Sequence, residues 1–269
     1  MSEKQLAEPD SKTGKTGKDY FSQEKLESFE RDGYVIVQGM YSQEEVNEIS
    51  DWIDELTGRE PVVGKQMAYF EDSLTEEDTR VLSRIEKFVE FAPELQSVVY
   101  DKKMVGRAAE LLGEAPLLFK EKINFKMPGG GGFEPHQDIQ PGWDDYAPYY
   151  ISILLTVDPS TLENGCIELA AGHHKNGMIG EKWKPLEADQ LVEIEFSSFP
   201  TNPGDVVFFD CFVPHQSAPN LTNRRRRNIY LTFNRESDGD HRGHYFADKR
   251  NSYPPDFERE PGKEYKFRV

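Results

Sequence analysis

Between residues 116 and 236 the chain is a succession of short apolar or alternating segments, with no long helical stretch among them. LLFKEKINFKM alternates apolar and polar residues. A GGGG turn follows, then YYISILLTV, an Asn164-Gly165 turn into CIELA, LVEIEF, GDVVFFDCFVPH and RRNIYLTFN. Glycine and proline separate the segments, as they do between antiparallel strands. This many strands without intervening helices predict a sandwich or barrel.

The flanks read differently. Ser22 precedes a segment with Leu26 and Phe29 on one face, ending at Gly33. Tyr34 to Val37 reads as a strand. Ser42 and Glu45 form a capping box ahead of Val46, Ile49, Trp52, Ile53 and Leu56 at helical spacing. Val81, Ile85, Phe88 and Val89 predict another helix. Met104, Val105, Ala108, Leu111 and Leu112 predict one more, stopped by Gly113. Residues 19–115 are thus expected to be mostly helical with one early strand. Residues 1–18 read as a flexible polar tail and residues 237–269 as a surface segment. The sequence leaves open whether residues 58–73 form a lid.

Charge narrows the partners. The chain has 269 residues, with 32 Lys+Arg against 49 Asp+Glu, a formal net charge of -17. Phosphate backbones and anionic lipid surfaces repel such a chain, so neither nucleic acid nor membrane is the expected partner. A small anion remains possible, because it responds to the local field of a pocket. Cys166 and Cys211 have neither zinc spacing nor a disulfide framework. The start of the chain lacks a signal-peptide core, and the longest apolar run, Tyr149 to Val157, is too short to span a bilayer. A cytoplasmic protein acting on a small molecule is expected.

His136-Gln137-Asp138 follows the glycine turn directly. On a strand, residues two apart share a side, so His136 and Asp138 can meet one ion. His215, at the end of VVFFDCFVP, is the best third ligand. His173 and His174 compete for that place, with an exposed pair or a structural hydrogen bond as the alternative. His241 and His244 lie in the polar C-terminal stretch and read as solvated. Two histidines and a carboxylate with open positions suit non-haem Fe(II) oxygen chemistry, whereas structural zinc sites are closed. Within RRNIYLTFN, Arg226, Asn228 and Tyr230 face one side, and Ile229, Leu231 and Phe233 the other. A buried Arg226 requires an anion, and a carboxylate bound through both nitrogens suits it. A solvated turn is the competing reading of the Arg224–Arg227 cluster.

The order HQD, ENGCIELAAGHH, GDVVFFDCFVPHQS and an arginine eleven residues past the second histidine resembles the phytanoyl-CoA dioxygenase family. The FERDGYVIVQGM opening extends the likeness over nearly the whole folded chain. The resemblance implies a mainly β protein with α, a double-stranded β-helix (jelly-roll, cupin-like) core flanked by N-terminal helices. It implies an Fe(II)- and 2-oxoglutarate-dependent dioxygenase consuming O2. It matches His136, Asp138 and His215 to the iron ligands and Arg226 to the distal carboxylate of 2-oxoglutarate. Asn124 and Ser217 match positions that contact that cosubstrate. Halogenases of the group lack the aspartate; this chain keeps Asp138, so hydroxylation is expected. LFKEKINFKMPGGGGFEPHQDIQPGW and DKRNSYPPDFEREPGKEYKFRV further resemble phosphonate dioxygenases that oxidise 2-aminoethylphosphonate-like compounds at the carbon bearing phosphorus.

If Asn124 faces inward, so do Lys120, Lys122 and Lys126. Inward lysines need anions unless they sit at the rim and snorkel to water. Lys122 is the candidate for an anion contact. Gln137, Gln140, Trp143, Asn228 and Tyr230 are further candidates for the pocket wall. Alternatives are the same chemistry on an amino acid, betaine or natural-product intermediate, and a non-enzymatic β-sandwich binding protein. A zinc hydrolase or cupin-like isomerase would leave Arg226 without an obvious anion.

Overall fold

The computed structural model describes residues 20–265, so the tail expected at residues 1–18 lies outside the described residues. Eleven strands lie within them: β1 (Tyr34–Val37), β2 (Met67–Asp72), β3 (Arg80–Glu86), β4 (Pro116–Lys126), β5 (Phe133–His136), β6 (Ile151–Thr156), β7 (Ile167–Leu169), β8 (Ser197–Phe199), β9 (Val206–Asp210), β10 (His215–Ser217) and β11 (Arg226–Arg235). The five α-helices are α1 (Gln23–Asp32), α2 (Gln43–Thr57), α3 (Pro93–Val99), α4 (Lys102–Leu112) and α5 (Arg242–Ser252).

The local rules act where the sequence places them. The Ser22 hydroxyl accepts from the Lys25 amide at the start of α1, and Gly33 closes that helix at φ 84°. Ser42 and Glu45 satisfy each other's backbone amides in a complete capping box on α2. Gly113 ends α4 at φ 78°.

The strands form two antiparallel sheets. One has seven strands in the order β1-β9-β6-β11-β4-β3-β2, the other four in the order β5-β10-β7-β8. Alternation divides the large sheet. Ile153 and Leu155 of β6, Phe208 of β9, Leu231 and Phe233 of β11 and Ile123 of β4 turn to one face. There they bury against Phe29, Ile49, Ile53, Leu95, Val99 and Met104 of α1 to α4. On the opposite face Leu154, Val207 and Phe209 meet Ile167 and Leu169 of β7. The large sheet therefore lies between a helical layer and the small sheet, the double-stranded β-helix with its helical flank. No helix among the described residues is long and apolar enough to cross a membrane.

Three expectations are corrected, and one open point is answered. The apolar spacing from Val81 to Val89 forms a strand, β3, not a helix. It pairs with β2 and β4, and a bulge at Tyr69/Phe70 breaks the two-residue period that marks a strand. Charged Arg84 and Glu86 occupy its buried positions and hide the pattern further. The question left open at residues 58–73 is answered in part: Met67–Asp72 form β2, an edge strand of the large sheet. LVEIEF is not a strand: β8 begins at Ser197, and Val192 is 80% exposed with nothing to cover it. The C-terminal segment does not merely wrap the surface. It carries α5, which buries Tyr245 and Phe246.

Helix α5 is held by charge rather than by an apolar stripe, which is why hydrophobic periodicity misses it. Arg242 grips the fully buried Glu121 of β4 through Nε at 3.1 Å and Nη2 at 2.6 Å. Removing one partner of a buried pair strands the other charge. Arg242→Met is expected to lower unfolding stability by about 3 kcal/mol, read from the urea midpoint. An unchanged midpoint would show that α5 is anchored elsewhere.

Candidate metal centre

Strands β5 and β10 are antiparallel neighbours, with His136 directly across from His215. Their ring centroids lie 4.2 Å apart. Each Nδ1 faces a backbone carbonyl, Glu134 O at 2.7 Å for His136 and Val213 O at 3.0 Å for His215. A carbonyl only accepts, so each neutral ring carries its proton on Nδ1 and leaves an Nε2 lone pair for the centre. Asp138 is delivered by a turn rather than by strand parity, since β5 ends at His136. Its Oδ1 lies 3.8 Å from His215 Nε2, and its Oδ2 accepts a short hydrogen bond from Ser152 Oγ of β6. One ligand atom from each of the three residues lies within 4.8 Å of the others, and all three side chains are buried.

Electrostatics suit a cation. Burial, then the neighbouring His215, pushes His136 down to about 3. Burial lowers His215 as well. For Asp138 burial acts upward, but His215, Lys122 and His136 outweigh it and hold the carboxyl below its usual range. Two neutral imidazoles and one carboxylate are the protonation states a divalent metal requires. The N2O donor set, with three ligands and Nε2 atoms aimed inward, fits an open iron site.

Arg226 lies 2% exposed on β11. Its Nη2 donates to Gly165 O at 2.7 Å, and the Asn228 amide oxygen, turned toward it, accepts from Nη1 at 2.9 Å. Among the described residues no carboxylate lies within ion-pairing distance, and Nε has no hydrogen-bond partner. Burial pushes its pKa down. Beside it, Lys126 donates to Ser217 Oγ at 2.7 Å, to Gly165 O at 3.2 Å and to Ala218 O. Burial, then Arg226, pushes Lys126 down to about 6. Gly165 makes this convergence possible: at φ 74°, a Cβ there would lie 1.9 Å from Ala218 O and 2.8 Å from Lys126 Nζ. Asn124 is buried on β4, opposite Asn228, and its Oδ1 has no partner among the described residues. A buried cation without a counter-ion is the mark of a missing anionic ligand.

Beyond the histidines opens a cavity of about 310 Å³, lined by Lys122, Trp143, His136 and Asp138 among others. Lys122 points its Nζ at the rings of Tyr230, 4.9 Å away, and Phe133, 5.8 Å away. Burial, then Lys120, pushes Lys122 down to about 8. Tyr230 is half-buried beside Arg226 and Lys122 and does not line the cavity.

Gln137 does not reach the cavity. Its amide donates to Gly177 O and Phe212 O and accepts from the Ile179 amide. Gln140 holds Glu181 O and Lys184 O. Both tie down the segment from residue 177 to 184. Asn228 orients Arg226 and is not a cavity wall. His173 and His174 sit in a short helical turn near Gly33, outside the metal group. His241 accompanies Asp238 O, and His244 pairs with Asp248. Sequence reasoning misses Ser152, Arg84, Glu86 and Lys249. Only Ser152 carried a signal, as a polar residue inside the apolar run YYISILLTV.

Comparison with known proteins agrees with this geometry. The family model described as Phytanoyl-CoA dioxygenase (PhyH) matches residues 29–228. A 2-aminoethylphosphonate dioxygenase from Uncultured bacterium HF130_AEPn_1 is 37% identical over 248 residues, covering 91% of this chain and 94% of its own. A methylphosphonate hydroxylase from Gimesia maris is 33% identical over 229 residues, covering 85% and 86%. Among solved structures, EctD from S. alaskensis with 2-oxoglutarate and 5-hydroxyectoine superposes with a TM-score of 0.72 at 21% identity, over 84% of this chain and 80% of that one.

Ser152 orients one ligand without touching the ion. Ser152→Ala is expected to weaken Fe(II) binding about 10- to 100-fold with little change in fold, measured by anaerobic metal titration. Unaltered affinity would mean that Asp138 needs no such support.

Proposed function

The chain belongs to the phytanoyl-CoA dioxygenase family, and from that premise we propose that it is an Fe(II)- and 2-oxoglutarate-dependent hydroxylase of a small organophosphonate. The observation that carries this reading is the convergence of His136, Asp138 and His215 beside a buried Arg226 that has no carboxylate partner among the described residues. His136, Asp138 and His215 hold the iron. Arg226 takes the distal carboxylate of 2-oxoglutarate, with Ser217 and Asn124 as further contacts. Asn228 and Gly165 O hold the guanidinium in place for it.

When bound, iron with 2-oxoglutarate and dioxygen supplies a C–H hydroxylation in which the cosubstrate leaves as succinate and carbon dioxide. The protein's own part is position, dryness and charge. Phe209 packs edge-on against His215 at 5.1 Å and keeps that side of the centre dry. Lys122 faces the substrate. The two relatives that act on phosphonates, together with a cavity rich in lysine, favour an anion over a neutral betaine. A 2-aminoethylphosphonate-like compound, hydroxylated at the carbon bearing phosphorus, fits best. Two buried free thiols suit the reducing cytoplasm, where we place the enzyme.

Anaerobically Fe(II)-loaded enzyme, given oxygen, 2-oxoglutarate and 2-aminoethylphosphonate, is expected to form succinate and hydroxylated product in equal amounts, followed by mass spectrometry. Failure to consume 2-oxoglutarate with any member of a phosphonate and amino-acid panel would falsify the reading. Arg226→Met should raise KM for 2-oxoglutarate by about 30-fold or more, as expected when one side of a buried charge pair is truncated. Iron binding should persist in that variant. A KM within a few-fold of wild type would remove Arg226 from the cosubstrate site.

A further inference from the structure

We propose that the cavity contains a subsite for a doubly charged phosphonate head group, walled by Lys120, Lys122 and Lys249 around the buried Glu86, and that Lys249 of α5 sets the preference for a dianion over a monoanion. This rests on the hydroxylase reading above and assigns where its substrate is gripped.

The cluster is built around one carboxylate. Glu86 is fully buried, and Lys249 Nζ donates to both of its oxygens at 2.6 and 2.8 Å. Arg84 Nε lies 3.1 Å from Glu86, and Lys120 Nζ 3.8 Å. Lys122 is directly across from Glu86 in the β3–β4 register, and no carboxylate lies within 4.0 Å of its ammonium among the described residues. Arg84, Lys120, Lys122 and Lys249 all line the same cavity. Lys120 and Lys249 share the single carboxylate of Glu86 with Arg84, and Lys122 has no carboxylate that close among the described residues, so the cluster carries an excess of positive charge. Of the other carboxylates lining the cavity, Asp138 is committed to the metal, Asp145 pairs with Lys182, and Asp248 accepts from Tyr146 and pairs with His244.

A buried excess of positive charge needs an anion. The walls are apolar as well as charged. Lys120 Nζ lies 5.5 Å from the Trp143 ring centre and 5.4 Å from that of Tyr245, so it cannot be relieved by bulk water alone. Ammonium groups are compact point charges and suit a tetrahedral head group with three oxygens, where a planar carboxylate favours a guanidinium fork.

The cosubstrate has its own cations. Lys126 pairs in register with Arg226, whereas Lys120 lies six residues back along β4, roughly 20 Å away at strand rise. The two anion sites therefore lie apart along one strand, the cosubstrate site at its end and the head-group cluster nearer its middle. The family match stops at residue 228, so Lys249 comes from outside the matched region. Iron and cosubstrate residues fall within residues 29–228, and the cation assigned to selectivity is added by α5.

The test compares 2-aminoethylphosphonate with 2-aminoethylsulfonate, the same skeleton with a singly charged head group. Binding to the anaerobic Fe(II)–2-oxoglutarate enzyme is followed at pH 8 by calorimetry and by tryptophan fluorescence, to which Trp143 and Trp183 of the cavity wall contribute. Wild type is expected to bind the phosphonate about tenfold or more tightly than the sulfonate. Lys249→Met should lose about that factor for the phosphonate alone, with the dissociation constant for 2-oxoglutarate unchanged, and Lys249→Arg should restore the preference. Lys120→Met, which breaks only the longer contact to Glu86, should reduce the preference too and covers the case in which Lys249→Met does not fold. A wild type that hydroxylates 2-aminoethylphosphonate while the methionine variants keep its preference overturns the subsite and leaves the hydroxylase reading standing. A wild type that binds neither compound overturns both.

Discussion

The large sheet can hold charge on one face only because the other face is sealed by helices. Ile123, Ile153, Leu155, Phe208, Leu231 and Phe233 lock that outer face against α1 to α4, and apolar burial of this extent stabilises the layer at about 25 cal/mol per Å². The inner positions of the same strands are then free for Lys120, Lys122, Asn124, Lys126, Arg226 and Asn228. Few of these would be tolerated in a core that relied on both faces for its stability. Alternation along a strand is thus what separates the folding role of β4 and β11 from their chemical role.

That division explains what could be read from the sequence. Strands β4, β6, β9 and β11 were legible because one face is uniformly apolar. The parity of Arg226, Asn228 and Tyr230 against Ile229, Leu231 and Phe233 followed directly. Caps at Ser22, Ser42, Gly33 and Gly113 were legible because they depend on neighbours in the chain. Strand β3 was not, because Arg84 and Glu86 fill inward positions that an ordinary strand would give to apolar residues. Helix α5 was not, because its anchors, Arg242 to Glu121 and Lys249 to Glu86, are ion pairs more than 100 residues apart in sequence. Hydrophobic periodicity carries no information about such contacts.

The HQD motif carried the metal idea, but for a partly different reason than spacing alone. His136 ends its strand, and Asp138 reaches the centre through a turn held by Ser152 and by the amides of Gln137 and Gln140. Gln137, a candidate for the pocket wall from the sequence, turns away from the cavity and into the backbone of residues 177 to 179.

Strand β4 brings these threads together. Its inward residues run from Lys126, beside Arg226, through Asn124 and Lys122 to Lys120, beside Glu86. A bulge at Phe119 places that ring and the Lys120 ammonium successively against Trp143, so the charged row ends in an aromatic wall. A rigid strand fixes the separation between two anion grips as no loop could. A cosubstrate carboxylate held at one end of this inward row and a substrate head group held at the other would leave the reacting carbon little freedom over the metal. Positioning of that kind lowers the entropy cost of reaction more than any single contact does. The acidic chain as a whole repels polyanions, while this one inward row attracts small ones. Local field, rather than net charge, therefore decides what the cavity admits.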